Sequence, residues 1–343
     1  MRGAVEQDLS ARRREELAAK VAFLSRPEAY PDERPERVEV VETSASFLFL
    51  TRARVRKLKK PIRREMLDLS SLARRLENAR EELRLNRRLA PGVYLWLEPV
   101  VRRAGELHLG GEGRVVDWLV VMRRLPAERM LDRVIAAGEV EEEDLVRVGR
   151  LLAAFHLDAP VAPVEPEEHR RRLIEGVRLD LAVLSRPELG APDEQARALA
   201  SRLLEELEEE PERFRERVRE GRILDGHGDL RPEHVCLLRP EPVVIDCLEF
   251  SAELRQQDPA DELALLQLEC ERLGSEAGAR ILAAYRAAGA GDPPAGMVSF
   301  YRGYRALRRA RLAIAHLDDP CLADPAKWRA RCARYLELGE RPS

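Results

Sequence analysis

Apolar residues recur along this chain with two different spacings, and the change from one to the other marks its organisation. Leu17, Val21 and Leu24 stand at helical spacing, which predicts an amphipathic helix from about Val5 to Leu24. The proline-rich stretch from Ser25 to Pro35 ends it. Val38 to Thr43, Phe47 to Thr51 and Val55 to Lys59 are rich in β-branched and aromatic residues and read as short strands. A helix is predicted from Leu69 to Leu89, with Leu72, Leu76, Ala79, Leu83 and Leu85 or Asn86 as its apolar stripe. Strand patterns then return at Val93 to Val101, Glu106 to Leu109 and Val115 to Met122, with Gly110-Gly111-Glu112-Gly113 as a hairpin turn. The sum is a small antiparallel sheet interrupted by one helix.

Beyond about Arg124 the spacing is mostly helical. Helices are expected over Leu145 to His156, His169 to Leu184, Asp193 to Glu220, Asp258 to Arg272, Glu276 to Ala288, Met297 to Leu317 and Lys327 to Leu338. Two apolar runs break the series, Val235 to Leu238 and Val243 to Ile245. Arg239-Pro240-Glu241-Pro242 between them predicts a hairpin. His227, Asp229 and His234 stand at its mouth, and its second strand ends on Asp246. Any one of these is an ordinary turn or strand-end residue. Together they put four proton carriers or metal ligands on one supersecondary unit.

The order His227-Gly228-Asp229-Leu230, then Val235-Cys236-Leu237, then Ile245-Asp246-Cys247-Leu248-Glu249-Phe250 resembles the aminoglycoside phosphotransferase and choline kinase family, and within it a bacterial subgroup of predicted kinases. Asp258-Pro259-Ala260-Asp261-Glu262-Leu263-Ala264 is similar to that family's D-P-A-x-D-L-A element. The resemblance implies an α+β, bilobal protein-kinase-like fold. A small antiparallel β-sheet lobe (residues 1–124) would bind nucleotide, and a mainly helical lobe (125–343) would carry the catalytic hairpin 223–250. It also implies ATP-dependent phosphorylation of a hydroxyl group on a small molecule. Asp229 is the implied catalytic residue, His234 and Asp246 the metal ligands, and the backbone at Met122 the adenine hinge. A strand lysine paired with Glu82 would position ATP. Strand alternation puts Lys57 and Lys59 on the same face; Lys57 is the slightly preferred choice.

Two departures from the family pattern are visible. His234 replaces the expected Asn, which admits Mn²⁺ beside Mg²⁺. No glycine lies between Gly3 and Gly92, so the first hairpin turns on Thr43-Ser44-Ala45-Ser46 instead of a glycine-rich loop. These keep open an inactive nucleotide-binding pseudokinase. A transition-metal hydrolase built on His227, Asp229, His234 and Asp246 is the remoter alternative. His227 is expected to brace the loop, and Asp258 and Glu262 to anchor it from below.

Composition narrows the setting. The chain has 343 residues, 45% of them hydrophobic and 35% charged, enough for two lobes with their own cores. A net charge of -3 supplies no general attraction to nucleic acid or anionic membrane. No apolar run approaches a membrane span, and the N-terminus lacks the apolar centre of a signal peptide. Five scattered cysteines without a C-x-x-C pair read as reduced thiols, so a cytoplasmic protein is expected. Arg302, Arg305, Arg308, Arg309 and Arg311 read as a solvated face, with reception of an anionic substrate as the alternative.

Overall fold

The computed structural model describes residues Ala11–Glu340 except Glu65, Asp292, Pro320 and Cys321. Val5 to Ser10 of the expected first helix, and Cys321, therefore lie outside the described residues. The chain divides into two compact units. Of the described residues, the first holds those from Ala11 to Pro126 together with Val244–Ser251, and the second holds Ala127–Val243 and those from Ala252 to Glu340.

In the first unit, strands β1 (Glu39–Glu42), β2 (Ser46–Leu50), β3 (Arg54–Lys59), β4 (Tyr94–Arg103), β5 (Glu106–Leu109) and β6 (Arg114–Arg123) form one antiparallel sheet in the order β1-β2-β3-β6-β4-β5. Because side chains alternate along β3, Leu58 and its two lysines face opposite ways. Leu58 joins Phe49, Val100 and Leu119 in a buried cluster closed by Leu24 of helix α1 (Ala11–Leu24). Lys57 and Lys59 face helix α2 (Leu72–Asn86), which begins at the Ser71 cap. With β2 on one side and β6 on the other, β3 is an interior strand, which holds its lysines in fixed positions.

The second unit is built from helices α3 (Leu131–Ala137), α4 (Glu142–Asp158), α5 (Pro166–Leu184), α6 (Asp193–Glu209), α7 (Pro211–Arg219), α8 (Pro259–Arg272), α9 (Ala277–Ala287), α10 (Ala295–Ile314) and α11 (Pro325–Glu340). The helical spacing over 193–220 is broken in two, because Pro211 has no N–H to continue α6 and starts α7 instead. The expected hairpin survives as a two-stranded ribbon, β7 (Val235–Cys236) with β8 (Val243–Val244). The arginines of α10 are not a solvated face. Arg302 and Arg305 are buried, and ion pairs run from Arg302 to Glu271, Arg305 to Asp261, Arg309 to Glu269, and Arg308 and Arg311 to Asp180. Helical periodicity puts charge at these positions but cannot show that the neighbouring helices carry matching carboxylates.

One buried titratable group here gives a measurable pH dependence. His169 on α5 sits with Nε2 3.3 Å from the Tyr301 hydroxyl, and burial pulls its pKa down to about 4 from 6.5. Between those values the unfolded chain binds more protons, so this contribution to stability is full above pH 6.5 and is lost as the pH falls towards 4. At pH 5 the loss is about 2 kcal/mol. His169→Gln should therefore show a shallower decline in urea-unfolding free energy between pH 7 and pH 5 than the parent protein. Equal declines would contradict the assignment.

Candidate active site

Glu82 lies on α2, buried beneath the sheet, and both strand lysines converge on it. Lys57 Nζ is 2.8 Å from Glu82 Oε1, and Lys59 Nζ is 2.5 Å from Oε2. Their second partners differ. Lys59 is buried and bound to Glu249 at 2.9 Å, whereas Lys57 has Asp246 Oδ1 at 3.5 Å. Burial disfavours the Lys57 ammonium, but the Glu82, Asp246 and Glu249 carboxylates outweigh it and hold its pKa well above the usual lysine value. Burial likewise raises the Glu82 pKa, and the two lysines outweigh it, leaving the carboxyl below its ordinary range.

Asp246 adopts φ 65°, a left-handed backbone that Asp tolerates better than most side chains. Neighbouring backbone groups hold it there. Val244 N–H donates to the Leu89 carbonyl at 3.3 Å, Asp246 N–H to the Tyr94 hydroxyl at 3.2 Å, and Cys247 N–H to Asn86 Oδ1 at 2.9 Å. Asn86 in turn donates to the Glu82 carbonyl at 2.9 Å. One turn of α2 thus carries both the lysine partner and the residue that holds the Asp246 segment. This departs from the expectation that 223–250 forms one block of the helical lobe: from Val244 the segment packs with the sheet-bearing unit.

In the second unit Glu262 organises the loop before the ribbon. Its Oε1 accepts the N–H groups of His227 and Gly228, both at 2.6 Å, and its Oε2 is 2.8 Å from His156 Nε2. Burial alone would raise this carboxyl, yet the bond and charge of His156, with His227 and the Gly228 N–H, bring its pKa to about 2. His227 is fully buried and its Nδ1 accepts the Asp229 N–H at 3.3 Å. It braces the loop as expected. Among the described residues Asp258 makes no hydrogen bond to that loop; it caps α8 through Ala260 N–H and binds Arg217.

Asp229 is partly exposed, with Oδ2 accepting Arg231 Nε at 2.9 Å. Its Oδ1 meets no donor among the described residues and is left as an open acceptor. Burial raises its pKa, but Arg231, His234, Arg309 and His227 together keep it below the ordinary Asp value.

A model of the phosphotransferase enzyme family matches residues 36–308, a span that contains the strand lysines, Glu82, Asp229 and Asp246. The chain belongs to this family. The uncharacterized protein Rv2004c of Mycobacterium tuberculosis is 32% identical over 305 residues, 85% of this chain and 58% of that protein. Mb2027c of Mycobacterium bovis gives the same figures. The chain thus spans less than two thirds of the length of the curated relatives it matches. Choline kinase from Cryptosporidium parvum superposes with TM-score 0.52 at 12% identity, covering 94% of this chain and 95% of that one. The GDP complex of aminoglycoside 2'-phosphotransferase-IIIa gives 0.50 at 15% identity, over 93% and 97%. The fold is therefore the kinase-like one: an N-terminal antiparallel sheet followed by a mainly helical region.

Among the metal positions expected of this family, Asp246 and His234 fare differently. The Asp246 side chain is 51% exposed and offers hard carboxylate oxygens, which suits Mg²⁺. His234 does not fit a metal. Its Nδ1 is 2.8 Å from the Asp229 carbonyl oxygen and must donate to it, so Nε2 is the acceptor for Arg231 Nη2 at 3.1 Å. A guanidinium occupies the direction a cation would need. Among the described residues no three His, Cys, Asp or Glu side chains gather to hold a metal ion, so His227, Asp229 and His234 do not form the core of the hydrolase alternative.

Sequence reasoning missed Arg231, Asn86, Tyr94 and Glu249 as members of these clusters. Arg231 and Glu249 lie inside motifs already singled out, and Asn86 follows Glu82 by one helical turn. Tyr94 left no signal. The hinge position Met122 lies on β6, paired with Val55 and Tyr94. The glycine-free turn is closed by its own side chains and by two basic neighbours: Thr43 Oγ1 accepts Ser46 N–H, while Lys60 and Arg64 donate to the Thr43 and Ser44 carbonyls.

Proposed function

We propose that this chain is a kinase that transfers the terminal phosphoryl group of ATP to a hydroxyl group of a small molecule. It rests above all on Lys57, which is fixed by Glu82 and still turned towards the half-exposed Asp246. Lys57 binds phosphate oxygens, the backbone that follows β6 and not that of the doubly paired Met122 receives the adenine, and Asp229 Oδ1 accepts the hydroxyl proton. Mg²⁺ held by Asp246 would neutralise phosphate charge. Lys59, committed to Glu82 and Glu249, keeps Glu82 in place instead of meeting ATP. His234 bonded to Arg231 puts a guanidinium charge where a second metal was expected, and the case for Mn²⁺ falls with it.

Incubating the protein with γ-labelled ATP, Mg²⁺ and pools of sugars, amino alcohols and aminoglycosides tests this, and label should appear in an acceptor. The glycine-free turn and the lost second metal position favour one competing reading, a nucleotide-binding pseudokinase. That reading gains if ATP binds, no pool is labelled, and Asp229→Asn binds ATP like the parent. The role of Asp246 has its own readout. Chelating Mg²⁺ should weaken ATP binding about tenfold or more in the parent protein and leave Asp246→Asn unchanged, about 1.4 kcal/mol of metal-linked affinity. An equal response in both would remove Asp246 from the metal site.

A further inference from the structure

The first unit has a second concentration of charge, away from Lys57. A cavity of about 270 Å³ lies between α1, the start of α2 and the paired strands β4 and β6. Arg13, Lys20, Arg75, Arg102 and Arg114 line it, with Glu16 as the acidic member of the lining. Beneath them Asp117 is fully buried. Its two oxygens accept Lys20 Nζ at 2.6 Å, Arg75 Nε at 2.8 Å, Arg75 Nη2 at 3.0 Å and the Trp118 N–H at 3.1 Å. That uses the acceptor capacity of a carboxylate. Among the described residues five cations face two carboxylates here.

Lys20 and Arg114 are short of acceptors among the described residues. Lys20 is 6% exposed, and among the described residues its ammonium meets Asp117 alone, although it carries three donors. The Arg114 guanidinium has no acceptor among the described residues. Arg102 and Arg114 are also direct cross-strand partners, a like-charge pairing that destabilises a sheet unless something negative lies between. The first turn of α2 adds Arg74 and Arg75 and no acid, where the helix dipole already favours an anion.

We propose that this cavity binds a small phosphoryl-bearing anion, separate from the nucleotide bound at Lys57. Guanidinium forks from two strands, a buried ammonium and a helix N-terminus are the donors that a tetrahedral, multiply charged group takes up best. Glu82 lies ten residues further along α2 than Leu72, about 15 Å at the helical rise.

Isothermal titration of the full chain with inorganic pyrophosphate at low ionic strength tests this. Saturable binding is expected in the parent and in Lys57→Met, which removes the other phosphate-binding cation. Arg114→Glu and Arg102→Glu should each weaken it about tenfold or more, equivalent to 1.4 kcal/mol. Arg114 is exposed and has no partner among the described residues, so its replacement should leave the fold intact, which circular dichroism checks. Absence of saturable binding in the parent would overturn the proposal. So would loss of binding in Lys57→Met with retention in Arg114→Glu, which puts the anion at the strand lysine. Citrate binding as tightly as pyrophosphate would overturn the phosphoryl class.

Discussion

Asp229→Asn is expected to lower phosphoryl transfer about a thousandfold, within the range that a positioned general base contributes, while ATP affinity stays within about twofold. The amide keeps the shape of the side chain and removes its basicity. Asp229 Oδ1 is the open acceptor, and Arg231 on Oδ2 holds the carboxylate in one orientation. The folded-state pKa of Asp229 lies below the ordinary Asp value, because Arg231, His234, Arg309 and His227 outweigh burial. The Asp229 carboxyl is therefore already ionised at neutral and mildly acidic pH, and if it is the base the acid limb of the rate profile should fall below the usual carboxylate range. Arg231→Gln removes the nearest of those charges, so its acid limb should move to higher pH. Single-turnover rates across pH 4 to 8, a span of about four units chosen around the ordinary carboxylate and imidazole values, measure both effects. An asparagine variant within about tenfold of the parent rate would remove Asp229 from the chemistry.

Glu82→Ala is expected to cost about 3 to 5 kcal/mol of unfolding free energy, since it strips the partner from two lysines in a largely buried site. Glu82 is 1% exposed, Lys59 is 2% exposed, and each oxygen of the carboxylate holds one ammonium. Without it Lys57 retains Asp246 and Lys59 retains Glu249, so the charges remain partly compensated but the lysines lose their common anchor. ATP affinity should fall as well, because Lys57 is then drawn towards Asp246. The double variant Lys59→Met with Glu82→Leu separates the two effects. Apolar side chains in place of a buried pair should restore much of the stability and none of the nucleotide affinity. Urea unfolding and ATP titration of the three proteins give the answer. Unchanged stability in Glu82→Ala would mean that this carboxylate is not the anchor described above.

Much of the architecture was legible in the chain. Runs rich in β-branched and aromatic residues marked the sheet strands and 3.6-period runs marked the helices, because such side chains suit a pleated strand and an amphipathic helix must present one apolar side. The order of His227, Asp229 and Asp246 around two apolar runs carried the family resemblance. Periodicity also placed Lys57 and Lys59 on one face without choosing between them, and that choice depends on which second carboxylate each meets. Glu249 comes to Lys59 and Asp246 to Lys57 from a segment nearly 190 positions away, so no local spacing records it.

His234 illustrates the same limit. Its place in the sequence is that of a metal ligand, but its ring nitrogens are claimed by the Asp229 carbonyl and Arg231, a fact of hydrogen-bond direction. The α10 arginines looked solvated because a helix alone shows its own charges and not the carboxylates of the helices packed on it. Pattern and motif determined the elements and the family, and they singled out the carboxylates to which the chemistry is here assigned as a proposal. Which carboxylate answers which cation was decided only by tertiary packing, because burial makes an unpaired charge costly and folding must then supply a partner from wherever in the chain one can be brought close.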